Sequence, residues 1–154
     1  MSEPTTLREP VRHAVDVALP LERAFELFTR DVARWWPLAS HSCSQEKGAT
    51  VRFGAGIGAQ VVERGADGRD HVWGTITQWQ PPHGFEMTWH PGQDAAQATA
   101  LEVRFEPRGE GCRVSVRHGG WEARGANAAE LRDNYDRGWV YVLGCYSGST
   151  RSGG

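Results

Sequence analysis

The sequence predicts an α+β fold in the order strand, two short helices, six strands, one long helix, and three observations predict it. Apolar residues alternate with polar ones over residues 11–19, the period of a half-buried strand. Turn-forming residues cut residues 50–121 into short segments at the even spacing of an antiparallel meander. A helical period governs residues 127–146. Seven tryptophans add a hint of purpose, because they stand at the ends of these elements: Trp35 and Trp36 before Pro37, Trp73 and Trp79 about one strand, Trp89 and Trp121 closing two others, and Trp139 within the late helix. Large rings with one polar edge suit cavity walls and interfaces.

In the first strand Val11, His13, Val15, Val17 and Leu19 share one face, and Pro20 ends it. Ala24, Phe25, Leu27 and Phe28 then form the apolar stripe of a short helix, with Pro20 near its first turn, where a missing N–H does no harm. A second short helix is expected over residues 31–36, with Asp31 as its N-cap. Strands are expected over residues 50–53, 59–64, 71–79, 85–89, 99–106 and 113–119, which with the first makes seven. Every break between them carries Gly, Pro or Asp, residues that close turns or accept positive φ. Asn127, with Glu130 three residues on, reads as a capping-box start for the last helix. On that helix Leu131, Tyr135, Gly138, Val142, Cys145 and Tyr146 share a face, Trp139 lies on its shoulder, and Glu130, Asp133 and Arg137 point away. A helix of this extent is roughly 28 Å long, enough to cross a whole sheet.

A chain of 154 residues fits one domain, here read as spanning 1–154 with an ordered core over about 8–147 and a flexible Gly/Ser-rich tail over 148–154. The formal net charge is -2 and the basic residues are interspersed with acidic ones, so no basic stripe marks a nucleic-acid partner. Three cysteines without paired spacing argue against a disulfide framework and for a reducing compartment. The N-terminus has no apolar leader region and no stretch is long enough to span a bilayer, so a cytoplasmic protein without membrane insertion is expected. Turn spacing by itself leaves the strand pairing open, since a sandwich would give the same pattern.

Five blocks, in order, are similar to a known family: LPLERAFELFTRDVARWWP (residues 19–37), FGAGIGAQVVE (53–63), GTITQWQPPHGFEMTWHP (74–91), VSVRHGGW (114–121) and YDRGWVYVLGCY (135–146). Together they resemble the START-like, birch-pollen-allergen-like superfamily termed SRPBCC, and within it the branch related to the C-terminal domain of activators of the heat-shock-protein-90 ATPase. The resemblance implies a helix-grip fold, a curved seven-stranded antiparallel sheet around the long C-terminal helix with a cavity between them. Related members hold lipids, sterols, polyketides or flavonoid-like molecules there, and fold alone does not decide among such functions.

Within that frame the expected ligand-binding residues are Phe28, Trp36, Trp73, Met87, Trp89, His118, Tyr135, Gly138 and Trp139. Phe85, Met87 and Trp89 share one strand face, and Trp73, Thr77 and Trp79 share another. Trp73, Trp89 and Trp139 are assigned to the wall and Trp36 and Phe28 to the mouth, while Trp35, Trp79 and Trp121 are assigned to anchoring. His118 keeps the phase of Val114 and Val116, so it faces inward either as a core histidine or as a polar contact to a ligand. Gly138 means either close approach of helix and sheet or room for a ligand beside Trp139. Glu63, Glu86, Glu102 and Glu106 are expected on a solvated outer face.

Gly54, Gly56 and Gly58 spell GxGxG, but a strand follows instead of the helix a phosphate site requires, so the motif reads as a hairpin turn. His41 and Cys43 lack the spacing of a structural zinc site, and no metal or cofactor is expected. The function expected is binding of a hydrophobic or aromatic small molecule without catalysis. The alternatives are a polyketide cyclase or hydrolase using His118 and Tyr135, and a co-chaperone acting on a chaperone ATPase, the latter resting on the branch resemblance alone. Macromolecular partners, on this view, are a second copy of the chain or a chaperone.

Overall fold

The computed structural model describes residues 9–43, 49–91 and 94–150, the side chain of Arg124 excepted. Strand β1 (Val11–Val17) leads to helix α1 (Leu21–Phe28) and a 3₁₀ turn (Val32–Arg34). Strands β2 (Thr50–Phe53), β3 (Gln60–Arg64), β4 (Asp70–Gln80), β5 (Gly84–Trp89), β6 (Thr99–Arg108) and β7 (Gly111–Gly119) follow. A 3₁₀ segment (Trp121–Asn127) then hands over to helix α2 (Ala128–Thr150). All strand pairs are antiparallel, in the sheet order β1-β7-β6-β5-β4-β3-β2. The sheet curls as a half-barrel and α2 lies along it, which is the helix-grip architecture.

Local chemistry explains the elements. Helix α1 begins directly after Pro20, whose ring presets φ at -63°, and it buries Ala24, Phe25, Leu27 and Phe28. Phe28 centres an aromatic knot, with ring centroids 5.1 Å from Trp35, 5.2 Å from Tyr146, 5.7 Å from Phe105 and 6.0 Å from Phe85. The Tyr146 hydroxyl donates to the Ala24 carbonyl at 2.8 Å, which ties α2 to α1. At the other edge of the sheet's inner face, His13 of β1 meets Asp136 of α2 at 2.7 Å.

Strand β4 carries two bulges that the alternation of its residues did not reveal. Val61 pairs with Gly74 and Val62 with Val72, so Trp73 is the extra residue of the first; Ile76 pairs with Met87 and Gln78 with Glu86, so Thr77 is the extra residue of the second. Each bulge shifts the side-chain phase by one and bends the strand. Trp73 and Ile76 are therefore buried while Thr77 is exposed, which corrects the expectation that Trp73, Thr77 and Trp79 share a face. The close approach this demands is met at Gly74, where a Cβ would run into the Thr88 carbonyl oxygen.

Four further expectations change. Asp31 does not cap the second short helix with its side chain; its carboxylate instead accepts from Arg23 at 2.7 Å and Arg30 at 3.4 Å, and these partners hold it below the usual carboxylate range. Trp121 opens a 3₁₀ segment instead of closing a strand, because the chain turns at Gly120, which adopts φ 77°. Trp139 is at the centre of the buried face of α2 together with Leu143, not on its shoulder. The helix also runs on to Thr150, so residues 148–150 of the expected flexible tail are helical, and 151–154 lie outside the described residues. Among the described residues no helix is long and apolar enough to cross a membrane.

Candidate functional site

A cavity of about 280 Å³ opens between α2, the bulged part of β4, the end of β5 and the segment after the first 3₁₀ turn. Its aromatic wall is Trp36, Trp73, Trp89 and Trp139, and the remaining lining comes from Ser40, His41, Ser42 and Cys43, from Pro91, and from Tyr135, Gly138 and Val142. Trp36 is the hub of the wall, its centroid 5.1 Å from Trp73, 5.9 Å from Trp139 and 6.0 Å from Trp89. Edge-to-face and tilted contacts of this kind hold large rings apart at fixed angles, so the space between them does not simply collapse.

The indole N–H groups of the wall are directed into the protein. Trp36 Nε1 donates to the His41 carbonyl at 2.7 Å, Trp73 Nε1 to Glu63 Oε1 at 3.0 Å, and Trp139 Nε1 to His118 Nδ1 at 3.0 Å. Trp89 Nε1 is buried without a hydrogen-bond partner among the described residues. A ligand in the cavity therefore meets ring faces and carbon edges from all four indoles.

His118 is fully buried and stands behind this wall. An indole N–H can only donate, so Nδ1 of His118 must be unprotonated. Its proton then lies on Nε2, 2.6 Å from Thr99 Oγ1, and the Thr99 hydroxyl is left to donate to the Trp89 carbonyl at 3.1 Å. His118 is thus a neutral bracket joining Trp139 to the strand end that carries Trp89. Its ring also meets Trp121 at 4.4 Å and Tyr135 at 4.8 Å. His118 is thus buried and absent from the cavity lining.

Of the residues singled out from sequence, Trp36, Trp73, Trp89, Tyr135, Gly138 and Trp139 come together on one cavity, whereas Phe28, Met87 and His118 do not line it. Phe28 is taken up by the aromatic knot, and Met87 packs its Cε against Gly74. At Gly138 the choice between close approach and open room resolves geometrically: a Cβ there would find only His41 Cδ2, at 4.0 Å. No backbone crowds the position, so the glycine leaves space in the cavity wall.

One residue of the site was misjudged from sequence. Glu63, expected on the outer face, is 0% exposed and accepts from both Trp73 Nε1 and the Cys43 backbone N–H, the latter at 2.8 Å. It pins an aromatic wall residue and the 40–43 segment to the same strand. The signal was present in its phase with Val61, which is also buried on β3. Among the described residues no group of three His, Cys, Asp or Glu side chains converges as a metal site.

A family model described as Activator of Hsp90 ATPase homolog 1-like protein matches residues 18–144. Among solved structures, an anthrahydroquino-γ-pyrone synthase, Txn09, complexed with SUM, is 34% identical, with 87% of this chain and 90% of that chain covered and a TM-score of 0.59. Protein NE0264 from Nitrosomonas europaea is 10% identical over the full length of both chains, with a TM-score of 0.67. DynU16, a protein of the dynemicin biosynthetic locus, is 16% identical with a TM-score of 0.66; 94% of this chain is covered, but only 48% of DynU16. These last two likenesses speak to the fold alone. No curated protein matches the chain.

Proposed function

The chain belongs to the family of activator of Hsp90 ATPase homolog 1-like proteins, and we propose that it binds a flat, hydrophobic aromatic small molecule in its tryptophan-walled cavity, without catalysing a reaction. The single observation that carries this is the cavity itself: four indoles frame about 280 Å³, and Gly138 leaves one wall unfilled. Ligand pockets of drug-sized molecules start near 300 Å³, so the space suits a compact two- or three-ring compound better than a long acyl chain. The name of the 34% identical synthase describes a fused, oxygenated ring system, which supports the same ligand class here. The non-catalytic reading is supported by His118, whose two ring nitrogens are engaged behind the wall and away from the lining.

Tryptophan fluorescence tests the proposal directly. Titration with a panel of fatty acids, flavonoids and fused-ring aromatics is expected to give saturable quenching with the fused rings first. Gly138→Leu, which fills the cavity from the helix side, is expected to remove that response. No response to any member of the panel, or a full response in Gly138→Leu, would refute the assignment.

A further inference from the structure

The wall of the cavity is chemically uneven, and the unevenness specifies how a ligand must be built. Three of the four indole N–H groups are bonded inside the protein, and the fourth is buried. None of them offers a polar contact to the cavity. Polar lining instead comes from Ser40, His41, Ser42 and Cys43 on one side and from Tyr135 on the helix.

His41 is the imidazole among these lining residues, and its ring is held in place twice. Nδ1 lies 2.7 Å from Ser40 Oγ, and the ring stacks on Tyr141 of α2 at 4.9 Å with planes 20° apart. Stacking from α2 and a hydrogen bond from its own segment together fix the ring orientation. With Nδ1 engaged, the part of the ring without a hydrogen bond among the described residues is its Cδ2–Nε2 edge. Cδ2 of that edge is the atom a Cβ on Gly138 would meet, and both residues line the cavity. The backbone of the same residue is fixed as well, because its carbonyl accepts the Trp36 N–H. The aromatic wall and the histidine are therefore set relative to each other before any ligand arrives, and preorganisation of this kind limits the entropy lost on binding.

From this geometry we infer that His41 is the specificity-determining residue of the cavity, hydrogen-bonding through Nε2 to an oxygen on the edge of an aromatic ligand whose flat body lies among the four tryptophans. The ligand class is a fused-ring phenol or ring ketone, not a bare hydrocarbon. Nε2 can accept from a phenol or donate to a carbonyl, according to which tautomer the Ser40 hydroxyl supports. The vacant side chain at Gly138 is part of the same design, because a larger residue there would stand between His41 and the ring system. This inference rests on the binding function proposed above and adds to it the polar feature that the ligand must carry.

The test compares 2-naphthol with naphthalene, two probes of one shape that differ by a phenolic oxygen, by measuring dissociation constants in wild type and in His41→Ala. The quantity read is the ratio of the two constants in each protein. Removing His41 is expected to move that ratio against 2-naphthol by roughly 3- to 10-fold, the range a single neutral hydrogen bond gives. His41→Gln, which restores a hydrogen-bonding group, is expected to recover part of the shift. If both probes bind wild type and the ratio is the same in His41→Ala, the role of His41 is overturned while the binding function stands. If neither probe binds wild type, both are overturned. Circular dichroism of each variant shows whether a change in ratio comes from a folded protein.

Discussion

Trp35 and Trp36 are neighbours in the chain and belong to opposite kinds of interior. Trp35 is 6% exposed, donates its N–H to the Leu27 carbonyl at 2.8 Å, and packs against Phe28 and Tyr146 in a filled aromatic knot. Trp36 faces Trp73, Trp89 and Trp139 across a hollow. The two rings are only 5.5 Å apart, yet one belongs to a filled knot and the other frames a cavity. What separates them is the helix opposite. Helix α2 presents Tyr146 to the knot and, about two turns earlier, presents Gly138 to the cavity. Residue type does not distinguish filled packing from cavity lining here; the volume offered by the facing element does.

Mutations can break or sharpen this contrast, and the largest effect is expected in the knot. Phe28→Ala removes a ring with four aromatic neighbours and should lower stability by about 3–5 kcal/mol, read by chemical denaturation. A loss under about 1 kcal/mol would mean that the knot is not filled as described. Next comes Glu63→Ala, which strips the acceptor from Trp73 and Cys43. It is expected to cost about 1–3 kcal/mol, and to weaken ligand-induced quenching because a wall residue and the 40–43 segment lose their shared anchor.

Tyr146→Phe removes the hydroxyl bonded to Ala24 and should cost about 0.5–1.5 kcal/mol near neutral pH. Its pH signature is more telling. Burial pushes the Tyr146 phenol above its ordinary value, so the folded state keeps its proton where the unfolded state releases it. That contribution is fully present below about pH 10 and is lost as the pH rises above it. Denaturation midpoints measured from pH 8 to 11 should therefore fall less steeply in Tyr146→Phe than in wild type. The smallest effect on stability is expected for Gly138→Leu, within about 1 kcal/mol of wild type and on the stabilising side, since leucine is the better helix former. In that variant thermal stability and ligand response should move in opposite directions, which no substitution in the knot would produce.

Much of the architecture was legible in the chain because local chemistry marks it. Strand limits follow the Gly, Pro and Asp turns to within two residues, and the stripe of α1 is written in Ala24, Phe25, Leu27 and Phe28. Trp36, Trp73, Trp89 and Trp139 are all among the rings the sequence assigns to the wall or mouth, and all four line the cavity, although Trp73 and Trp139 lie inside their elements and not at the ends. Orientation across the sheet was less legible. The sequence places Glu63 outward because a carboxylate in a strand is ordinarily solvated, and hydrogen bonds such as those from the Trp73 indole and the Cys43 amide make its burial tolerable. Thr77 falls on one face with Trp73 and Trp79 when residues are counted in twos, because period-two counting has no term for a bulge. Phe28 and Met87 are inward-facing, but which neighbours claim them depends on contacts far along the chain.

By itself, then, the sequence determined the elements, their order and the apolar face of those without a bulge or a buried polar group, such as α1, because propensity, turn chemistry and periodicity act over a few residues. The tertiary structure decided which inward-facing rings pack and which enclose space, which polar groups stand behind the wall, and which ones line the cavity. Those outcomes depend on the curl of the sheet, two bulges in β4 and the placement of α2, all of them set by contacts between residues distant in the chain.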